Sequence, residues 1–116
     1  MPQRVDHIDL TVPDLAEALK YFRALGFVLP EVLPASGPVA ISLPGDRVTF
    51  DIREDRNATT TTLHHVALRT DDHEADLALI DEAGITVSKA ATLNPASGRI
   101  ISNFVDPFGA LWQLTD

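Results

Sequence analysis

The chain has no cysteine among its 116 residues. That excludes disulfides, a thiolate metal site and a cysteine nucleophile. It is also short of positive charge: 9 Lys and Arg stand against 17 Asp and Glu, a formal net charge of -8. Binding to a phosphate backbone relies on Lys and Arg, so this balance argues against nucleic acid as a partner. It likewise disfavours anionic membrane surfaces. No apolar run reaches the length of a membrane span, and the opening Met1-Pro2-Gln3-Arg4-Val5-Asp6 lacks the apolar core of a signal peptide. With 45% hydrophobic and 22% charged residues the composition is that of an ordinary globular protein. These features predict a soluble, cytoplasmic single domain spanning residues 1–116.

What is present is a repeat. The strand openings His7-Ile8-Asp9-Leu10 and His65-Val66-Ala67-Leu68 lie 58 residues apart. The helix starts Asp14 with Glu17 and Asp71 with Glu74 lie 57 apart, each with the spacing of a capping box. Gly26 and Gly84, 58 apart, suit left-handed helix C-caps. Pro34-Ala35-Ser36-Gly37 and Pro95-Ala96-Ser97-Gly98 match at an offset of 61. Four matches in one order at a nearly constant offset predict two similar modules, 1–56 and 63–116, joined by the polar link Arg56–Thr62.

Each module has the same plan. Val5–Val12 alternates in period two, as a strand does. A helix over 14–25 follows, with Leu15, Ala18, Leu19 and Phe22 on one stripe. Strands are predicted at Phe27–Leu33, Val39–Leu43 and Val48–Arg53, Pro30 weakening the first. The second module repeats this with Leu63–Thr70, a helix over 72–83 striped by Leu77, Ile80 and Ala83, then Ile85–Ala90, Arg99–Val105 and Ala110–Thr115. The predicted fold class is α+β, two βαβββ modules whose helix-free sheet faces form a cleft.

Alternation sorts the side chains. Ile8, Leu10, Val12, Val48, Phe50 and Ile52 belong under the first helix, with Val66, Leu68, Trp112 and Leu114 under the second. His7, Asp9, Thr11, Thr49, Asp51 and Arg53 then face the cleft, as do His65, Ala67, Arg69, Leu111, Gln113 and Thr115. The repeat pairs His7 with His65 and Asp51 with Gln113. Two imidazoles with a carboxylate and an amide suit Zn, Ni, Mn, Fe or Co, with room left for water or substrate. His7, Asp51, His65 and Gln113 are therefore the candidate metal ligands. Asp51 is the candidate catalytic carboxylate, and Asp9, Arg53, Arg69 and Leu111 are candidate substrate contacts. Strand histidines are also common as merely hydrogen-bonded polar residues. His64 reads as a helix-side packing or interface group, and His73 as surface.

The phrases Val5-Asp6-His7-Ile8-Asp9-Leu10-Thr11-Val12-Pro13-Asp14-Leu15 and Tyr21-Phe22-Arg23-Ala24-Leu25-Gly26-Phe27 resemble the vicinal oxygen chelate superfamily. So do His64-His65-Val66-Ala67-Leu68 and Phe104-Val105-Asp106-Pro107-Phe108-Gly109-Ala110-Leu111-Trp112-Gln113-Leu114. That group includes glyoxalase I, bleomycin resistance proteins, fosfomycin resistance enzymes and extradiol dioxygenases. The resemblance covers essentially the whole chain. It implies paired βαβββ modules, frequent homodimers, a small-molecule substrate with vicinal oxygens, and metal ligands from the first and last strand of each module. By position these are His7, Asp51, His65 and Gln113. Gln113 departs from the pattern, since that position is usually Glu in the metal enzymes, and an amide cannot act as a general base. Two functions follow from the resemblance: a divalent-metal lyase- or isomerase-like enzyme, or a non-catalytic drug-binding protein of the bleomycin resistance type.

Overall fold

The computed structural model describes residues 1–116. It contains seven strands and two helices and divides by contacts into two compact units, residues 7–64 and residues 1–6 with 65–116. No helix is long and apolar enough to cross a membrane.

The first unit contains most of β1 (Arg4–Val12), then α1 (Leu15–Ala24), β2 (Val39–Ile41) and β3 (Thr49–Glu54). β1 runs parallel to β3, with His7 beside Thr49, Asp9 beside Asp51 and Thr11 beside Arg53. β2 pairs antiparallel with the other edge of β3. Asp14 caps α1 by accepting a bond from the Glu17 amide at 3.1 Å, as its carboxylate and position predict. The helix stops at Gly26, whose φ of 97° is costly for any residue with a Cβ. Val12, Leu19, Val39, Ile41 and Ile52 form the buried core, with Leu10, Leu15, Ala18, Phe22, Phe27, Leu29 and Phe50 packed against it. Phe27 meets both Phe22 and Phe50 edge to face. Ile8 and Val48, expected in this core, are only half-buried, and Val48 lies just before β3.

The strand predicted at Phe27–Leu33 does not form. Only an isolated bridge between Val28 and Ser42 remains. Pro30 has no N–H to give a ladder, and the chain beyond it runs as exposed loop. β2 also ends early, at Ile41, because a turn follows in which the Asp46 amide bonds back to the Leu43 carbonyl at 3.1 Å.

The second unit contains most of β4 (Thr62–Arg69), then α2 (His73–Glu82), β5 (Thr86–Asn94), β6 (Arg99–Val105) and β7 (Leu111–Thr115). β4 runs parallel to β7, β6 pairs antiparallel with β7, and β5 with β6. In both halves of the chain, then, the first and last strands are parallel neighbours. This is the α+β repeat expected from the sequence, with one strand of the first copy reduced to a bridge.

α2 differs from expectation in detail. Its cap is Asp72 rather than Asp71, and Asp72 accepts from the Ala75 amide, so the Asp71–Glu74 capping box is not formed. Ala83 is the exposed C-cap and not part of the inner stripe. The inner face is polar: His73, half-buried rather than on the surface, bonds Ser102 Oγ and the Ile100 carbonyl at 3.0 Å each. One turn on, buried Asp76 accepts from Thr70 Oγ1 and lies 2.8 Å from the Met1 ammonium. Burial pushes the Asp76 carboxyl up. The ammonium, the Thr70 hydroxyl and nearby His73 outweigh that and hold it below the ordinary value. Trp112 is half-buried, stacked on Phe104 and donating its indole N–H to Asp106.

Candidate functional site

With α1 on one face of the first unit's sheet, the odd-numbered residues of β1 and β3 are left on the other. His7, Asp9, Asp51 and Arg53 are gathered there. The Arg53 guanidinium donates Nε–H to Asp9 Oδ1 and Nη2–H to Asp9 Oδ2, each at 2.7 Å. This is the two-pronged geometry that makes Arg–carboxylate pairs strong and rigid. Asp9 is only 1% exposed. The Asp9 bonds raise the Arg53 pKa above its ordinary value against the opposing effect of burial. Both residues were candidate substrate contacts; each holds the other by its charged end.

His7 Nε2 lies 3.9 Å from Asp51 Oδ2. That is too long for a hydrogen bond, which closes to about 3 Å. Ligand atoms sharing one ion at bonds of about 2.1 Å stand roughly 3.0–3.4 Å apart, so His7 and Asp51 would reach ligand spacing only after a small side-chain rotation. The donor types, an imidazole and a carboxylate on neighbouring parallel strands, are of the kind that bind divalent cations. Asp9 and His64 also bring ligand atoms within 4.8 Å of each other. His64 is exposed and not packed under a helix. Proximity to Asp9 is a property its place in the strand alternation did not suggest.

In the second unit α2 fixes the faces. Thr70 and Ser102 bond residues of α2, so His65, Arg69, Gln113 and Asn103, of opposite parity, lie on the helix-free face. His65 is buried at 6% exposure. Gln113 sits beside Ala67 on one side and Asn103 on the other. Its Nε2 donates to Asn103 Oδ1 at 3.2 Å, a bond that does not use Oε1. Asn103 was missed in the sequence because nothing local marks it. Only the β6–β7 register brings it to Gln113. Leu111 is half-buried at the start of β7, opposite Val105. Arg69 lies 3.5 Å from Asp6 Oδ1.

The first and last strands of each half thus carry His7 with Asp51 and His65 with Gln113 at matching places. A profile of the Glyoxalase/Bleomycin resistance protein/Dioxygenase superfamily matches residues 4–114. The chain belongs to this superfamily. No curated protein matches it by sequence. Solved structures agree with the superfamily fold. Methylmalonyl-CoA epimerase from Mycobacterium tuberculosis superimposes with a TM-score of 0.78 at 18% identity, covering 98% of this chain and 87% of that one. A variant of the Streptomyces coelicolor methylmalonyl-CoA epimerase, in complex with 2-nitronate-propionyl-CoA, gives 0.70 at 23% identity, covering 99% and 97%. The 2,3-dioxygenase LapB from Pseudomonas sp. KL28 gives 0.69 at 22% identity, covering 98% of this chain and 42% of that one. At these identities the likeness is one of fold.

Proposed function

We propose that this superfamily member is a divalent-metal enzyme of isomerase or lyase type, acting on a small molecule with vicinal oxygens. The observation that carries the reading is the 3.9 Å spacing of His7 Nε2 and Asp51 Oδ2. The repeat adds His65 and Gln113 as their counterparts. Two neutral imidazoles, one carboxylate and one amide would leave a divalent cation with net positive charge. A bound Zn, Ni, Mn, Fe or Co ion would supply Lewis-acid stabilisation of oxyanion charge on the substrate. Because Asp9 pairs with Arg53, the reading assigns to Asp51 the role of metal ligand or proton acceptor. The epimerases that share the fold act, as their names state, on methylmalonyl-CoA, a fit for proton transfer beside a carbonyl.

The test is metal analysis of protein purified without chelator, with Mn²⁺ and Ni²⁺ titrations of the wild type, His7→Gln and Asp51→Asn. Stoichiometric metal lost in both variants supports the reading. Metal-free protein whose titrations show no uptake, unchanged by replacing His7 and His65 together, overturns it.

The charge of -8 and the amide at Gln113 favour a second reading, a non-catalytic protein that sequesters a cationic drug. Its mark is a melting temperature that rises with basic antibiotics as RT ln(1 + [L]/Kd) requires. Flat melting curves across such a panel count against it. Homodimerisation, which the resemblance implies, is read by light scattering on the eluting protein.

A further inference from the structure

The metal reading leaves one charged cluster on the second unit's helix-free face unused. Arg69 of β4 stands beside Thr115, and Thr115 beside Ile101. Arg99 lies two residues before Ile101 in β6 and therefore on the same face. Both arginines converge on Asp6, which is 6% exposed. Arg99 Nη1 donates to Asp6 Oδ2 at 2.7 Å, and Arg69 Nη1 lies 3.5 Å from Oδ1, with Arg4 Nη2 3.9 Å from the same oxygen. The Arg69 and Arg99 side chains are 39% and 41% exposed.

Neutralising a buried carboxylate takes one guanidinium. Here three lie within 4 Å of it, Arg99 and Arg69 nearest, so the cluster carries net positive charge in a chain whose net charge is -8. Arg69 and Arg99 each meet Asp6 through Nη1 alone. A guanidinium has five N–H donors in a fixed fork that matches oxyanions, so the Nε and Nη2 donors of both remain to bind one. Asp6 holds the forks together and sets their spacing. The place on the sheet is also informative. Arg69 and Thr115 lie one same-face step along the strands from Ala67 and Gln113, roughly 7 Å.

We propose that Arg69 and Arg99 form a binding site for an oxyanion, the phosphate or carboxylate of a substrate whose reacting oxygens lie several bonds away. This rests on reading the helix-free face as the substrate face. Arg99 was marked by nothing in its local sequence; the β6–β7 register and Asp6 bring it to Arg69.

The test is a ¹H–¹⁵N NMR titration of the full chain with inorganic phosphate and, in a second arm, propionate. The expected result is saturable shifts at Ile101, Asn103 and Thr115, weakened about tenfold in Arg99→Met and unchanged in Arg23→Met on α1. The arm that binds more tightly tells phosphate from carboxylate. Absence of saturable shifts in both arms, or equal weakening in Arg23→Met, overturns the proposal. If Arg99→Met does not fold, Arg69→Gln, which loses only the longer contact to Asp6, carries the same comparison. A parallel Mn²⁺ titration separates the two readings. Metal uptake without anion shifts removes this inference and leaves the metal site standing; anion shifts without metal uptake do the reverse.

Discussion

Asp9 and Arg53 show what alternation in one strand can and cannot reveal. Their shared face follows from period two, and both lie on it. Their mutual bond does not follow, because it needs β1 and β3 to run parallel with Thr11 beside Arg53. The pairing predicts that Arg53→Met is destabilising, since Asp9 at 1% exposure loses its two-pronged partner. Breaking a buried pair costs 3–5 kcal/mol. Arg53 is partly open to water, which places the loss near the lower end, about 3 kcal/mol by urea unfolding. Asp106 gives a prediction in pH. The Trp112 indole N–H first, then the Ala110, Phe108 and Gly109 amides, lower its pKa against burial. A carboxyl lowered on folding adds stability that is full above its unfolded value, 3.8, and is lost as pH falls through the lower folded value. Asp106→Ala should therefore melt below the wild type at neutral pH, and the gap should narrow in scans below about pH 4. A gap constant down to strongly acid pH would assign the effect to turn geometry, not charge.

Elements were legible where local chemistry decides them. Asp14, Gly26 and Gly84 announce helix ends by type, and the structure puts both glycines at positive φ, 97° and 76°. Nothing lies within 4 Å of a Cβ built at either position, so a substitution meets only backbone strain. Gly26→Ala and Gly84→Ala should each cost about 1 kcal/mol. Asn, which tolerates this region better, should cost less. Equal losses for Ala and Asn in denaturant melts would mean that something other than φ is at stake. The failures are those of tertiary override. Phe27–Leu33 has strand composition, yet Pro30 denies it a partner beyond the Val28 bridge. α2 looked weakly amphipathic because its inner face is polar, with His73 bonded to Ser102 and Asp76 to Thr70 and the Met1 ammonium. A reading that counts only apolar stripes assigns such residues to the surface.

At the scale of the molecule, the repeat carried the most information. Matching offsets near 58 residues correspond to matching topology, a parallel first–last strand pair in each half. What the repeat leaves unequal is chemistry, since Gln113 stands where Asp51 does in the first copy. That asymmetry yields the sharpest test of the proposed donor set. Gln113→Glu adds a negative charge at the proposed ligand position. Asn103 can turn its amide so that Nδ2 donates to the new carboxylate, keeping the contact now made by Gln113 Nε2. If Gln113 is a ligand, the variant should bind Mn²⁺ or Ni²⁺ about tenfold more tightly, a gain of about 1.4 kcal/mol by calorimetry. If His7 and His65 serve the same ion, as the repeat predicts, His7→Gln in the Gln113→Glu background should erase most of that gain. The two substitutions would then be coupled rather than additive. Unchanged affinity in Gln113→Glu would remove Gln113 from the donor set. Full additivity with His7→Gln would mean that the two halves act on metal independently.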